Sequence, residues 1–201
     1  LVAAGLCWLW LFGWLSQMAS QGIIYYDSMS YLESAKNHYV FHRGHNYRPM
    51  LMAAINGIPY LFGLGDNAVY GFSFYVDVFC WLASGVLTFE LLKDFVKPKI
   101  AFVFAMVFLS TLGNISYVFH LLTENIYLFF ILSAFWFLAK YYKTHEFKWL
   151  SISLAIFVLA MLIRPGSMLL GIAVRVFFFR EIIRNYKHKT AYFFYAGIGL
   201  V

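Results

Sequence analysis

The sequence predicts an all-α fold: a polytopic bundle of transmembrane helices with an extracytoplasmic first loop that carries juxtamembrane helices. Hydrophobic residues make up 63% of the 201 residues and charged residues only 12%. The mean hydropathy is +0.73, and these values together lie outside the range of soluble domains. Apolar stretches follow one another, each near the roughly 20 residues that a helix needs to cross a bilayer. The alternating pattern of barrel strands is missing from the sequence.

Seven apolar stretches divide the chain, which we treat as one transmembrane domain and expect to be a fragment of a longer protein. The predicted spans lie near residues 2–19, 67–92, 99–118, 121–142, 148–163, 165–180 and 190–201, the last of them truncated. Residues 20–66 form the loop between the first two spans. Within this loop, residues 49–65 are apolar but interrupted by glycine and proline. We therefore expect an interfacial helix there instead of a crossing.

Basic residues gather in the loops on one side of the predicted bundle. The loops after the second, fourth and sixth spans include Lys93, Lys97, Lys99, Lys140, Lys143, Lys148, Arg180, Arg184, Lys187 and Lys189. By the positive-inside rule this side is cytoplasmic, so residues 20–66 face outward. The formal net charge of +6 then reflects orientation in the membrane, and we expect no nucleic-acid partner.

Two common kinds of site are not indicated by the sequence. It contains neither a GxGxxG pattern after a strand nor a Walker-type lysine, which argues against a cytoplasmic nucleotide as the immediate substrate. Cys7 and Cys80 fall within two predicted spans, far apart in the chain. They give neither a disulfide framework nor the spacing of a metal site.

The outer loop contains the longest polar segment, residues 22–49, and Asp27 is its first candidate for chemistry. Membrane proteins place ionisable groups towards water, a cavity or a partner, because exposure to hydrocarbon is costly. Asp27 could also simply N-cap a helix through residues 28–39. Ser30 and Glu33 match the S-x-x-E capping box, so we interpret Glu33 as structural.

Further polar residues fall on the outer side of the predicted topology. Glu124 lies near the start of the fourth span, where a carboxylate could complement the helix dipole or serve a site. Arg164 precedes Pro165 between two short spans. It could stabilise a helix end, reach the lipid headgroups or bind a substrate. Arg48 and Arg43 are also outward, and the planar guanidinium group suits phosphate oxygens.

Three histidines share the spacing of one helical face. His38, His42 and His45 stand at positions i, i+4 and i+7, which could present three imidazoles to zinc. Gly44 interrupts this face, so we favour an interfacial position for the three side chains. His42 and His45 are kept as candidates for substrate binding.

Asp77 is the only acid in the middle of a predicted span, in the motif YVDVF. An ionisable residue at this depth is a functional-site hypothesis by default. The alternative is that a neighbouring helix satisfies its hydrogen-bonding needs. The sequence does not show which residue would pair with Asp77.

Four short motifs, taken in order, resemble the GT-C superfamily. They are an aspartate followed by Tyr-Leu-x-x-Ala (27–35), Arg-Pro followed by Leu-Phe-Gly (48–63), Thr-Glu (123–124) and Arg-Pro (164–165). The chain is most similar to the N-terminal half of dolichyl-phosphate-mannose-protein mannosyltransferase-like and aminoarabinose-transferase-like enzymes. Each motif is short, and their order across nearly the whole chain carries the resemblance.

The resemblance implies an enzyme of the cell or inner membrane that transfers a sugar from a polyprenyl-phosphate donor. The acceptor would be a glycan, a lipid or a protein outside the cytoplasm. Asp27 would serve as catalytic base or metal-linked carboxylate, with assistance from Glu124. The substrate-binding candidates are Arg48, Arg164, His42, His45 and Arg43. Family members often show two adjacent acids where this chain has Tyr26-Asp27, so a divalent cation held by Asp27 and Glu124 is an expectation left open.

Two other functions are compatible with the same residues. In a transporter or lipid flippase, Asp27, Asp77, Glu124 and Arg164 would line a translocation path. Such proteins often contain repeated halves with broken helices at matching positions, and no internal repeat is visible in this sequence. In a non-catalytic membrane subunit, the outward polar residues would have no shared role.

Overall fold

Every regular element that the structure describes is a helix. The computed structural model describes residues 1–19, 26–44 and 48–164, together with Val176 and Arg180. The elements are α1 (Val2–Ala19), α2 (Tyr26–Tyr39), α3 (Met50–Asn56), α4 (Ile58–Leu61), α5 (Asp66–Leu92), α6 (Pro98–Ser110), α7 (Leu112–Ser116), a 3₁₀ turn (Tyr117–Phe119), α8 (Glu124–Thr144) and α9 (Phe147–Ile163). The predicted all-α class is thereby confirmed. The chain divides into two compact units, Leu1–Pro165 and Gly166–Val201, and α1 to α9 all belong to the first.

Two described helices are long and apolar enough to cross a membrane by themselves. They are α5 with 27 residues and α8 with 21 residues, at the places of the predicted second and fourth spans. The predicted third span is broken: α6 and the segment 113–119 meet at an angle of 53° and reach sufficient length only together. Val2–Leu11 within α1, and α9, are shorter apolar helices. The predicted spans 165–180 and 190–201 lie outside the described residues, apart from two positions.

The polar and basic ends of the bundle follow from the directions of its helices. Helices α8 and α9 pack against each other and are joined only by His145 and Glu146, so they run in opposite directions. His145 ends α8 in the left-handed region, with φ of 55°. Lys143 donates to Asp94 over 2.5 Å, which joins the α8–α9 turn to the loop after α5. The lysine-bearing loops therefore share one end of the bundle, and the starts of α5 and α8 lie at the other.

Helices α2, α3 and α4 cover that second end. Tyr39 at the end of α2 donates to the carbonyl of Ala54 in α3 over 2.7 Å. Its ring also lies against Gly57, where an added Cβ would overlap the tyrosine side chain, so glycine allows α2 to approach the α3–α4 junction. The predicted interfacial helix at 49–65 is thus two short helices, and neither crosses the bundle.

An apolar cluster lies beneath these short helices and connects them to the long ones. Its buried members are Tyr31, Leu32, Met52, Val69, Cys80, Leu121, Leu122, Ile126 and Ile163. They come from α2, α3, α5, the segment before α8, α8 and α9. Burial of these side chains removes apolar surface from water or lipid headgroups and fixes the short helices on the bundle.

Candidate functional site

Asp27 lies in the first turn of α2, where it forms an ion pair with Arg48. The same guanidinium donates through Nε to Ser30 Oγ over 2.7 Å. Its Cζ lies 4.3 Å from the centre of the Tyr31 ring. Asp27, Ser30 and Tyr31 stand at i, i+3 and i+4, which is one face of a helix. Arg48 is therefore held by three side chains of α2.

The surroundings of Arg48 favour its charged form. Burial acts to lower the pKa of Arg48, but the hydrogen bond to Asp27 and the charges of Tyr31 and Asp27 outweigh that effect. The pKa of Arg48 is consequently raised above its usual value. A permanently charged, planar donor group is thus fixed beside a carboxylate that is 58% exposed.

The start of α2 corrects two structural interpretations of this segment. The helix already includes Tyr26, so Asp27 is inside the first turn and is not the cap of a helix that begins at Ser28. Ser30 lies inside the helix as well, and its hydroxyl donates to the carbonyl of Asp27 over 2.9 Å. The capping box with Glu33 is therefore not formed, because neither residue is at a helix start.

A second acid–arginine pair lies at the same end of the bundle. Arg164 Nη1 donates to Glu124 Oε1 over 3.2 Å. Glu124 is the first residue of α8 and Arg164 directly follows α9, so the antiparallel hairpin brings together two residues that are 40 positions apart. The guanidinium also lies 5.9 Å from the centre of the Tyr127 ring. The Glu124 carboxylate thus lies at the positive end of the α8 helix dipole and also binds Arg164.

Both pairs border the apolar cluster described above. Tyr31 belongs to that cluster and contacts Arg48. Ile163 and Ile126 also belong to it. Ile163 directly precedes Arg164, and Ile126 follows two residues after Glu124. The two pairs are separate ion pairs, each with its own acid. That Asp27 and Glu124 line one shared pocket stays a prediction.

The histidine face predicted from spacing is not formed in the described part of the chain. Helix α2 ends at Tyr39, and His42 follows with φ of 51°, outside any helix. His42 and Arg43 are exposed. Neither side chain forms a hydrogen bond or ion pair with the two acid–arginine pairs within the described residues. His45 lies outside them.

Potential metal ligands do not cluster among the residues that the structure describes. Groups of three or more histidine, cysteine, aspartate or glutamate side chains are absent among them. Asp27 and Glu124 each form an ion pair with an arginine. A divalent cation held by these two carboxylates stays a prediction.

A third polar cluster, which the sequence did not predict, is built from Lys36, Tyr60 and Asp66. Lys36 Nζ lies 3.2 Å and 3.3 Å from the two carboxylate oxygens of Asp66. Tyr60 donates to Asp66 over 2.9 Å, and burial together with this hydrogen bond raises the pKa of Tyr60. The sequence signal was weak, because Lys36 and Asp66 are 30 positions apart and each is typical of a solvated surface.

Asp77 is almost fully buried in α5, with 1% of its surface exposed. Ser73, one turn earlier in the same helix, is a polar neighbour of its carboxylate. The Ser73 hydroxyl also lies 3.3 Å from Asn56 Oδ1 in α3. The structure therefore places Asp77 beside a polar contact between α3 and α5.

The described residues thus form an all-helical bundle with two acid–arginine ion pairs at one end. Residues 46–201 match the family model described as dolichyl-phosphate-mannose-protein mannosyltransferase. The chain belongs to this family, whose members are membrane glycosyltransferases of the GT-C type. The match includes Arg48, Glu124 and Arg164 but begins after Asp27. A search of curated proteins and a search of solved structures gave no match.

Proposed function

We propose that the protein transfers a sugar from a polyprenyl-phosphate donor to an acceptor on the extracytoplasmic side of the membrane. One observation carries this proposal: two guanidinium groups are each fixed beside an exposed or partly exposed carboxylate at one end of the bundle. Family membership supports the sugar transfer itself. The donor, the acceptor side and the roles of the residues are our inference from the arrangement.

The arginines suit the leaving group of such a donor. When the bond between the sugar and the phosphate breaks, negative charge grows on the phosphate oxygens. Charge-assisted hydrogen bonds from arginine are strong and match phosphate geometry in a bidentate manner. Arg48 and Arg164 lie at the end of the bundle, where a lipid phosphate can reach them while its hydrocarbon tail stays in the bilayer.

Asp27 suits the role of general base. An acceptor hydroxyl is a poor nucleophile at neutral pH, and a carboxylate within hydrogen-bond reach can take its proton as the new bond forms. In the resting arrangement, Arg48 occupies one oxygen of Asp27. A phosphate that draws Arg48 to itself would free this carboxylate, so that donor binding would prepare the base.

Glu124 has a positioning role in this proposal. It accepts a hydrogen bond from Arg164 and thereby holds the second guanidinium towards the donor phosphate. His42, His45 and Arg43 stay predictions for substrate contact. A divalent cation also stays a prediction. Asp27 and Glu124, the carboxylates that would hold it, each form an ion pair with an arginine.

The extracytoplasmic location rests on charge asymmetry. The acid–arginine pairs lie at one end of the bundle and the lysine-bearing loops at the other. The positive-inside rule makes the lysine-rich end cytoplasmic. Transfer would therefore take place on the opposite side, where a lipid-linked sugar can be used without a nucleotide.

The test compares Asp27→Asn with Asp94→Asn in the full-length protein, reconstituted in lipid vesicles. Both substitutions remove an aspartate from an ion pair, but Asp94 pairs with Lys143 at the lysine-rich end. With a panel of polyprenyl-phosphate sugars, we expect Asp27→Asn to lower kcat by at least about 100-fold, as for loss of a general base. Asp94→Asn should retain transfer.

Equal transfer by both variants would remove Asp27 as the base. If no donor reacted with the parent protein while a solute gradient was dissipated, the transporter alternative would replace the proposed function.

A further inference from the structure

A cavity of about 270 Å³ opens beside α2, close to the first acid–arginine pair. We call it the α2 cavity, and it is lined by Met29, Ser30, Leu32, Glu33, Lys36 and Asp66. Its volume is near the lower end of the range for small-molecule sites. It is therefore large enough for a single small ligand or for one unit of a larger one.

Ser30 connects this cavity to the proposed base. Its hydroxyl accepts a hydrogen bond from Arg48 and donates to the carbonyl of Asp27. Ser30 also forms part of the cavity wall. The Ser30 side chain thus lies between a molecule in the α2 cavity and the Asp27–Arg48 pair.

The charges of the wall disfavour phosphate. Glu33 and Asp66 carry negative charge and Lys36 carries positive charge, which leaves a formal excess of one negative charge. Lys36 is already bound by Asp66, so the cation is neutralised locally. A phosphate group would meet repulsion here, while the arginines nearby offer a better site for it.

The same wall matches a molecule with several hydroxyl groups. A hydroxyl both donates and accepts, and the wall offers the carboxylates of Glu33 and Asp66 as acceptors and the ammonium group of Lys36 as a donor. Met29 and Leu32 supply apolar surface against which the C–H face of a sugar ring can pack. A serine or threonine side chain brings one hydroxyl, whereas a sugar ring brings several that can reach more than one of these groups at once.

We propose that the α2 cavity binds the acceptor of the transfer reaction and that this acceptor is a sugar. This inference rests on the proposed function. In the reaction, the acceptor hydroxyl oxygen forms a bond to the anomeric carbon of the donor sugar, and the bond from that carbon to the phosphate oxygen breaks. The hydroxyl proton passes to Asp27, and polyprenyl phosphate leaves with the electron pair.

The experiment separates acceptor binding from donor use. The full-length protein in vesicles receives the polyprenyl-phosphate sugar that supports transfer, with either methyl α-mannoside or a serine- and threonine-containing peptide as acceptor. Transfer to the acceptor and release of the sugar to water are measured in parallel. The variants are Glu33→Gln and Lys36→Gln. Glu146→Gln is the matched control, because Glu146 is an exposed acid at the lysine-rich end.

We expect Glu33→Gln and Lys36→Gln to raise KM for methyl α-mannoside about tenfold each, the change typical of losing one hydrogen bond to a charged group. KM for the donor and the rate of sugar release to water should stay at parent values, which also shows that the variants are folded. Glu146→Gln should match the parent in every measurement.

Three results would overturn the assignment while leaving the proposed function intact. They are an unchanged KM for methyl α-mannoside in both variants, a rise in donor KM instead, and transfer to the peptide alone. A parent protein that uses no polyprenyl-phosphate sugar would overturn the proposed function, and the cavity assignment with it.

Discussion

Arg48 and Arg164 differ in how firmly the protein holds them. The Arg48 side chain is 20% exposed and contacts three residues of one helix, whereas the Arg164 side chain is 49% exposed and pairs with Glu124. Exposed ion pairs contribute only about 0–1 kcal/mol to stability, because water screens the charges and the side chains lose freedom. The pair of Arg164 therefore has little structural value, and its importance should appear in donor binding.

Replacing Arg164 by glutamine should separate stability from function. We expect the midpoint of thermal unfolding to fall by no more than about 3 °C. KM for the polyprenyl-phosphate donor should rise about tenfold or more, since a charge-assisted hydrogen bond to phosphate is lost. Thermal unfolding in detergent and steady-state kinetics in vesicles measure the two effects.

Lys143→Gln is the control for this substitution, because Lys143 is similarly exposed and pairs with Asp94 at the other end of the bundle. It should change stability by a comparable amount and leave donor KM unaltered. If Arg164→Gln also kept the parental KM, Arg164 would have no part in holding the phosphate.

Among the helices, α5 approaches α6 closely at Gly85. Gly85 in α5 is buried against Leu109 in α6, and a Cβ added at Gly85 would lie 2.6 Å from Leu109 Cδ2 and 2.7 Å from its Cγ. Leu109 is itself fully buried, so it has little room to move. Small residues allow helices in membranes to approach closely and to gain packing contacts.

Substitution of Gly85 by alanine should therefore destabilise the bundle by about 1–3 kcal/mol, the usual cost of overpacking. Gly71→Ala is a control in the same helix, because a Cβ at Gly71 meets nothing within 4 Å. It should be neutral or stabilising by up to about 1 kcal/mol, since alanine favours the helix. Equal unfolding midpoints for both variants would show that the α5–α6 contact tolerates a methyl group.

Over the bundle formed by the described residues of the first unit, charged side chains gather at two ends. One end bears the acid–arginine pairs and the α2 cavity, and the other bears the lysine-rich loops joined by the Lys143–Asp94 ion pair. By the positive-inside rule, we propose that the lysine-rich end is cytoplasmic. The short helices α2, α3 and α4 would lie on the extracytoplasmic side.

Single cysteines should report this orientation directly. In a Cys7→Ser, Cys80→Ala background, we expect Gly44→Cys to react with a membrane-impermeant thiol reagent on intact cells. Glu146→Cys should react only after permeabilisation. Both positions are exposed in the structure, and the unmodified background serves as the control. The reverse labelling pattern would place the acid–arginine pairs in the cytoplasm and contradict the proposed acceptor side.

Sequence reasoning was most successful where a local pattern decides the structure. Apolar length predicted α5 and α8, because a helix must satisfy its own backbone hydrogen bonds in lipid. It was less successful at α6, where the extended backbone of Thr111 breaks the predicted span. At α2, the S-x-x-E motif does not mark a helix start, because the helix already includes Tyr26 and Ser30 lies inside it.

The sequence by itself determined the membrane class, the helical fold and the candidate residues Asp27, Arg48, Glu124 and Arg164, because composition, periodicity and ordered motifs act locally along the chain. Only the tertiary structure decided which acid binds which arginine, that Lys36 binds Asp66 and that a cavity adjoins Ser30. These pairings join residues 21 to 40 positions apart. They depend on how helices pack, and packing is a property of the folded chain as a whole.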